Sequence, residues 1–218
     1  MKIGIIGAGN IGATLTRRLT ALGHDVAVAN SRGPETLADL ASETGAAAVT
    51  PIEAVKGAEL VIVTIPEKAI PALPDGVFDG AVTGAPIVDT GNYYPVRDGR
   101  IEPIESGTTE SRWVSEHLGH PVVKAFNNIQ AGHLFELGKP AGAAGRIALP
   151  VAGDDPTTKQ IVMDLVDELG FDPVDAGSID ESWRQQPGTP VYAADLDAAG
   201  VTNALAEASA ERPERFRA

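Results

Sequence analysis

The chain contains no cysteine. That removes disulfides, thiolate chemistry and cysteine-ligated zinc or iron–sulfur centres together. It fits a reducing compartment, and a cytoplasmic location is expected. Aromatic residues are scarce, 5% of 218, so aliphatic side chains must fill the core. Basic residues are also short: 17 Lys and Arg face 30 Asp and Glu, a net charge of −13. Such a surface repels phosphate backbones and anionic lipid, so neither nucleic acid nor membrane is an expected partner. No apolar run reaches the roughly 18–20 residues that span a bilayer. The apolar start after Lys2 resembles a leader weakly, but Gly4, Gly7, Gly9 and Gly12 interrupt it. Any anionic ligand therefore needs a local device that overcomes the global field.

What is present is a repeating alternation. Lys2–Ile6, Val26–Ala29, Ala47–Val49, Leu60–Ile65, Ile87–Asp89, Val122–Ala125, Ile147–Val151 and Pro173–Asp175 read as short buried strands. Between them run helical patterns: one after Gly9 with Ile11, Leu15 and Leu19 on one face, others from Pro34, Pro51, Gln130 and Asp155. Strands alternating with helices predict an α/β fold with a doubly wound, mostly parallel sheet. Residues 1–177 are expected to form this domain. Residues 178–218 change character and read as a small C-terminal extension, with a helix somewhere in Asp195–Ala210. Trp183, Tyr192 and the Pro187–Pro190 loop are expected to form a lid or a dimer contact.

The first turn carries the chemistry. Gly7-Ala8-Gly9-Asn10-Ile11-Gly12 follows a buried strand and opens a helix, the context in which a glycine fingerprint holds a dinucleotide. Gly7 would allow the tight turn, Gly9 a close approach of the pyrophosphate, and Gly12 close packing of helix on sheet. The helix N-terminus supplies free N–H groups and a partial positive charge. An NAD site places a carboxylate about 20 residues further on, at the end of the second strand. This chain has Asn30-Ser31-Arg32 instead. Arg32 and Ser31 can hold a 2′-phosphate that a carboxylate would repel, so NADP(H) is the expected cofactor.

Thr64-Ile65-Pro66 ends the strongest strand and is expected to line the nicotinamide-ribose region. Asn92, after Asp89, and Asn127, after Lys124, should reach the same sheet edge, where either can hold a carboxamide or a substrate carbonyl. Tyr93 and Tyr94 read as packing residues. Asn127 and His133 are the catalytic candidates; His24, His117 and His120 read as ordinary surface residues, and no spacing resembles a metal site. There is no Tyr-x-x-x-Lys pair and no nucleophile elbow. A nicotinamide site without an evident acid favours hydride transfer to a stacked planar ring, which needs alignment above all.

The segments GIIGAGNIGATL, ANSRGPETL, VTIP, VVKAFNNI, LPVAGDD and DPVDAG, in this order, resemble the NADPH-dependent reductase family of the deazaflavin coenzyme F420. They are also similar to the cytosolic part of membrane ferric reductases. The resemblance spans about residues 1–192. It implies a Rossmann domain, NADP(H), direct hydride exchange with the deazaflavin as a small-molecule redox acceptor, and a homodimer. On it, Gly7, Gly9, Asn10, Ile11 and Gly12 would hold the pyrophosphate, and Ser31 and Arg32 the 2′-phosphate. Thr64, Ile65, Pro66, Ala125 and Asn127 would lie along the nicotinamide half. The residues leave other acceptors open, a flavin, a quinone or an imine, and also a non-catalytic NADP(H) sensor.

Overall fold

The computed structural model describes all residues, 1–218. Eight strands are present: β1 (Lys2–Ile6), β2 (Asp25–Ala29), β3 (Ala47–Ala48), β4 (Leu60–Val63), β5 (Ile87–Asp89), β6 (Val123–Lys124), β7 (Ala148–Val151) and β8 (Asp172–Asp175). The α-helices are α1 (Asn10–Ala21), α2 (Ala38–Thr44), α3 (Pro51–Val55), α4 (Pro95–Asp98), α5 (Glu102–Glu105), α6 (Glu110–Leu118), α7 (Ala131–Glu136), α8 (Pro156–Glu168) and α9 (Ala198–Ala206). Short 3-10 helices occupy Pro34–Leu37, Glu67–Ala72, Ile179–Gln185 and Glu214–Phe216.

The first six strands form one parallel sheet in the order β3-β2-β1-β4-β5-β6. The order reverses between β1 and β4, the switch point where doubly wound sheets bind ligands beyond the strand ends. Side chains alternate across the sheet: Ile3, Ile5, Val26, Val28, Leu60 and Ile62 pack with Leu15 and Leu19 of α1 on one face. Ile6, Val61 and Val63 pack with Trp113 and Val114 of α6 on the other. α3 lies so close to β1 that a Cβ on Gly4 would stand 2.4 Å from the Ala54 carbonyl oxygen.

The last two strands correct the expectation of a single sheet. β7 and β8 pair in parallel only with each other, with α8 crossing between them. One antiparallel bridge, Lys124 to Ala152, joins this small sheet to β6. α6 has no counterpart in the sequence reading, because Trp113 and Val114 are its only buried large apolar residues. Its signals are local: Thr109 accepts from the Arg112 amide at the start, and Gly119 closes it in the left-handed region at φ 66°. The expected strand through Ile65 stops at Val63, two residues short of the predicted end.

Residues beyond Gly177 pack on what precedes them. Val191, Val201 and Leu205 form one apolar cluster with Ala148, Ala152 and Ala176. Thr109 donates a hydrogen bond to the Ile179 carbonyl. No helix is long and apolar enough to cross a membrane.

Candidate active site

β1 ends in Gly7, at φ 113°, whose amide donates to the Ala29 carbonyl at the end of β2 (2.8 Å). A Cβ there would meet the Thr64 carbonyl oxygen at 2.2 Å. A Cβ on Gly12 would lie 2.0 Å from the Gly7 carbonyl oxygen, so α1 seats against its own turn. Gly9 is different: a Cβ there would meet nothing within 4 Å. Its glycine leaves an open cradle above the α1 N-terminus. No side chain caps that terminus and no acidic residue occupies its first turn. The amides of Asn10, Ile11 and Gly12 have no acceptor within the helix. The turn thus presents donors and a positive dipole end to open space.

Two cavities flank this helix start, one lined by Gly9 and the other by Asn10. The first, about 650 Å³, runs over Gly7–Gly9 to Asn30, Ser31 and Arg32 on one side and to Thr64, Ile65 and Pro66 on the other. Ser31 and Arg32 are exposed, and Arg32 enters no ion pair. Asn30 serves the loop itself: its Oδ1 accepts from the Arg32 amide (2.9 Å) and its Nδ2 donates to Thr36 (2.8 Å). The far wall comes from Ala69, Ala72, Leu73 and Pro74, which the sequence reading did not assign.

The second cavity, about 560 Å³, opens beside Asn10 and Ile11 and is enclosed by Asn92, Tyr94, Phe126, Asn127 and Tyr192. Asn127 and Asn92 are joined to each other. The Asn92 Nδ2 donates to the Asn127 carbonyl (2.8 Å), and the Asn127 Nδ2 donates to the Asn92 Oδ1 (3.1 Å). Gln185 adds a donor to the Asn127 Oδ1 (2.9 Å) and an acceptor for its Nδ2 (2.7 Å). The Asn127 amide is therefore engaged within the protein. Phe126 has φ 62° and Ala193, next to Tyr192, φ 55°; no other residue except glycine has a positive φ. Each such backbone costs about 1–3 kcal/mol, and such strain clusters at functional sites.

The model of the family described as "NADP oxidoreductase coenzyme F420-dependent" matches residues 2–93. The solved structure of the hypothetical protein SMa0349 from Sinorhizobium meliloti superposes with a TM-score of 0.75 at 32% identity. That match covers 90% of this chain and 95% of the other. Residues 2–93 of this chain belong to the F420-dependent NADP oxidoreductase family.

Two curated relatives are also similar. The protein YjhV of Escherichia coli (strain K12) is 55% identical over 66 residues, 30% of this chain. Metalloreductase STEAP3 of Rattus norvegicus is 28% identical over 183 residues, 82% of this chain. The matches span 48% and 34% of the lengths of these two proteins.

The family's cofactor is tested by the glycine cradle, the uncapped helix start and the unpaired Arg32, and these residues fit a dinucleotide carrying a 2′-phosphate. Three predicted site residues, Gly12, Ala125 and His133, lie off the cavity walls, Gly12 because it is buried against its own turn. Ala125 is fully buried behind the second cavity, its amide bonded to the Asp89 carbonyl. His133 projects from α7 toward Asp195, with its Nδ1 2.7 Å from the carboxylate Oδ2. Trp183 and the Pro187–Pro190 loop line a separate polar groove of about 820 Å³, which shares no residue with the second cavity.

Behind the second cavity lies a buried charge cluster that sequence reasoning missed. Lys124, fully buried, reaches Asp89 (3.1 Å) and the Gly91 carbonyl (2.5 Å). Ser111 also donates to Asp89 (2.6 Å). Glu67 accepts from Arg97 (2.8 Å), and Glu110 lies 3.0 Å from the Arg212 guanidinium. Burial, and then the charge of Glu110, pushes the Glu67 carboxyl well above its usual range. Burial raises Glu110 as well. Burial alone would lower Lys124, but Asp89, Glu110 and Glu67 outweigh it and hold the ammonium above its usual range. The only sequence signal was Lys124 inside an apolar strand.

Proposed function

We propose that this protein uses NADP(H) to exchange a hydride with a planar acceptor held in the second cavity, and that the acceptor is the deazaflavin coenzyme F420. The observation that carries this reading is the pair of cavities on either side of one helix N-terminus. One has the glycine cradle and the free Arg32; the other has aromatic walls. Gly9 and the amides of Asn10, Ile11 and Gly12 would hold the pyrophosphate, and Ser31 and Arg32 the 2′-phosphate. Thr64, Ile65 and Pro66 would carry the ribose toward the second cavity. When bound, NADPH supplies the hydride. The chain's part is alignment: Tyr94 and Tyr192 confine a flat ring in a space of ordinary ligand-site size. The family description supports the deazaflavin as that ring.

The test is calorimetry with NADPH and NADH, followed by NADPH oxidation with coenzyme F420, FMN, menadione and a cyclic imine as separate acceptors. Tight NADPH binding and turnover with the deazaflavin alone is expected. Turnover with another acceptor alone would replace it. Tight binding with no turnover would make the protein a sensor. Absence of binding would end the reading. The homodimer implied by the family resemblance is checked by light scattering in the same samples.

A further inference from the structure

Hydride transfer to a conjugated ring delivers two electrons and one proton, but reduction of the ring needs a second atom bonded to hydrogen. A heteroatom of the acceptor must take a proton from somewhere. The second cavity offers few sources. Its titratable wall residues are Tyr94 and Tyr192 alone; every other is Asn, Gln, Thr, Ile, Phe, Ala or Gly. His133, the candidate acid of the sequence reading, is not on the wall.

The two tyrosines come from positions 98 apart, and their hydroxyls hydrogen-bond to each other. Neither hydroxyl has another protein partner. Two O–H protons thus share one hydrogen bond, so one proton has no protein acceptor and is free for a ligand. The Tyr94 ring is packed, and the backbone that carries Tyr192 is held. Arg97 lies over the Tyr94 ring at 5.1 Å, and Phe216 packs against it at 6.1 Å between centroids. Tyr192 stands between fully buried Val191 and left-handed Ala193, whose amide donates to the Asn128 carbonyl (2.8 Å).

We propose that Tyr192 is the catalytic acid of the second cavity and that Tyr94 is its positioning residue. The proposal rests on the hydride-transfer reading above. As hydride from NADPH forms the new C–H bond of the acceptor, Tyr192 gives its hydroxyl proton to the conjugated nitrogen or oxygen. The Tyr192 O–H bond breaks and an N–H or O–H bond forms on the acceptor. NADP⁺, reduced acceptor and a Tyr192 phenolate result, and a water proton restores the phenol. The Tyr94 hydroxyl donates to the Tyr192 oxygen throughout and stabilises the charge that develops there. Burial raises the Tyr94 phenol above its usual range, which keeps its proton in place for that role.

The test compares wild type, Y192F and Y94F with 5-deazariboflavin as the probe. Four quantities are measured: melting temperature, NADPH affinity, probe affinity in the presence of NADP⁺, and the rate of probe reduction by NADPH. Y192F should keep its melting temperature and NADPH affinity. It should bind the probe several-fold more weakly, for loss of one hydrogen bond, and reduce it roughly 10²-fold more slowly. Y94F should lose rate by a smaller factor with little change in probe affinity. If wild type neither binds nor reduces the probe, the deazaflavin reading fails and this proposal fails with it. If wild type reduces the probe and Y192F matches it in rate and affinity, the proposal alone is overturned. A Y192F protein that melts lower and loses NADPH affinity would give Tyr192 a structural role and would also overturn it.

Discussion

Asn127 and Gln185, 58 residues apart, grip each other through two hydrogen bonds: the Gln185 Nε2 donates to the Asn127 Oδ1, and the Asn127 Nδ2 donates to the Gln185 carbonyl. Both side chains are buried. The 3-10 helix of the C-terminal region thereby sets the floor of the second cavity. Gln185→Ala should leave the Asn127 oxygen without its donor, at about 1–3 kcal/mol. Thermal unfolding should show a lower midpoint, by roughly 2–4 °C per kcal/mol for a chain of this size. NADPH affinity should change little, because the pyrophosphate and 2′-phosphate are assigned to the first cavity, which contains neither residue.

Two glycines of the first turn should fail in different ways. Gly12→Ala forces a Cβ against backbone and should lower stability by about 1–3 kcal/mol. Gly9→Ala meets no protein atom, so its melting curve should overlay the wild type. Its NADPH affinity should nevertheless fall at least about tenfold, because the methyl group occupies the cradle. Calorimetry beside thermal melts checks the contrast. Equal NADPH affinity in Gly9→Ala would remove the pyrophosphate from this turn.

Arg32 should discriminate between the two pyridine nucleotides. Its guanidinium has no partner in the protein, so Arg32→Ala breaks no internal contact. Loss of a charge-assisted bond to a 2′-phosphate should weaken NADPH about 10–100-fold, while NADH changes little. Parallel titrations with both nucleotides measure this, and equal losses would exclude a 2′-phosphate contact.

Glu67 gives a prediction for pH. Its carboxyl is raised in the folded protein by burial and by Glu110. Between the ordinary carboxylate range and that raised value, the folded state binds more protons than the unfolded state. Stability must then fall as pH rises through this window. Glu67→Gln keeps the shape and removes the titration. Its melting temperature should decline less steeply than that of wild type above about pH 4.5. Parallel pH slopes for the two proteins would refute the assignment.

The sheet and the glycine turn were legible because their signals are local. Gly7, Gly9 and Gly12 act within one strand-to-helix turn, and Arg32 follows the second strand directly. The six parallel strands fall where the apolar runs stand. What sequence order conceals is contact between distant segments. Asn92 and Asn127 were placed at the correct edge, but their commitment to each other and to Gln185 depends on three loops converging. Tyr94 read as packing because nothing near it in sequence announces Tyr192. Glu67, Glu110 and Arg212 are ordinary surface residue types; only the fold buries them around Lys124. The separate β7–β8 sheet was missed because strand pattern carries no information about which strand is the neighbour.

The walls of the first cavity come from residues 6–74, while those of the second, apart from Asn10 and Ile11, come from 90–132 and Tyr192. On the proposed function, choice of electron source and choice of electron sink are thus written in successive stretches of the chain, with the turn from Gly9 into α1 between them. A relative's later segment, grafted after β5, could redirect the electrons to a different destination while the same nucleotide continues to deliver them.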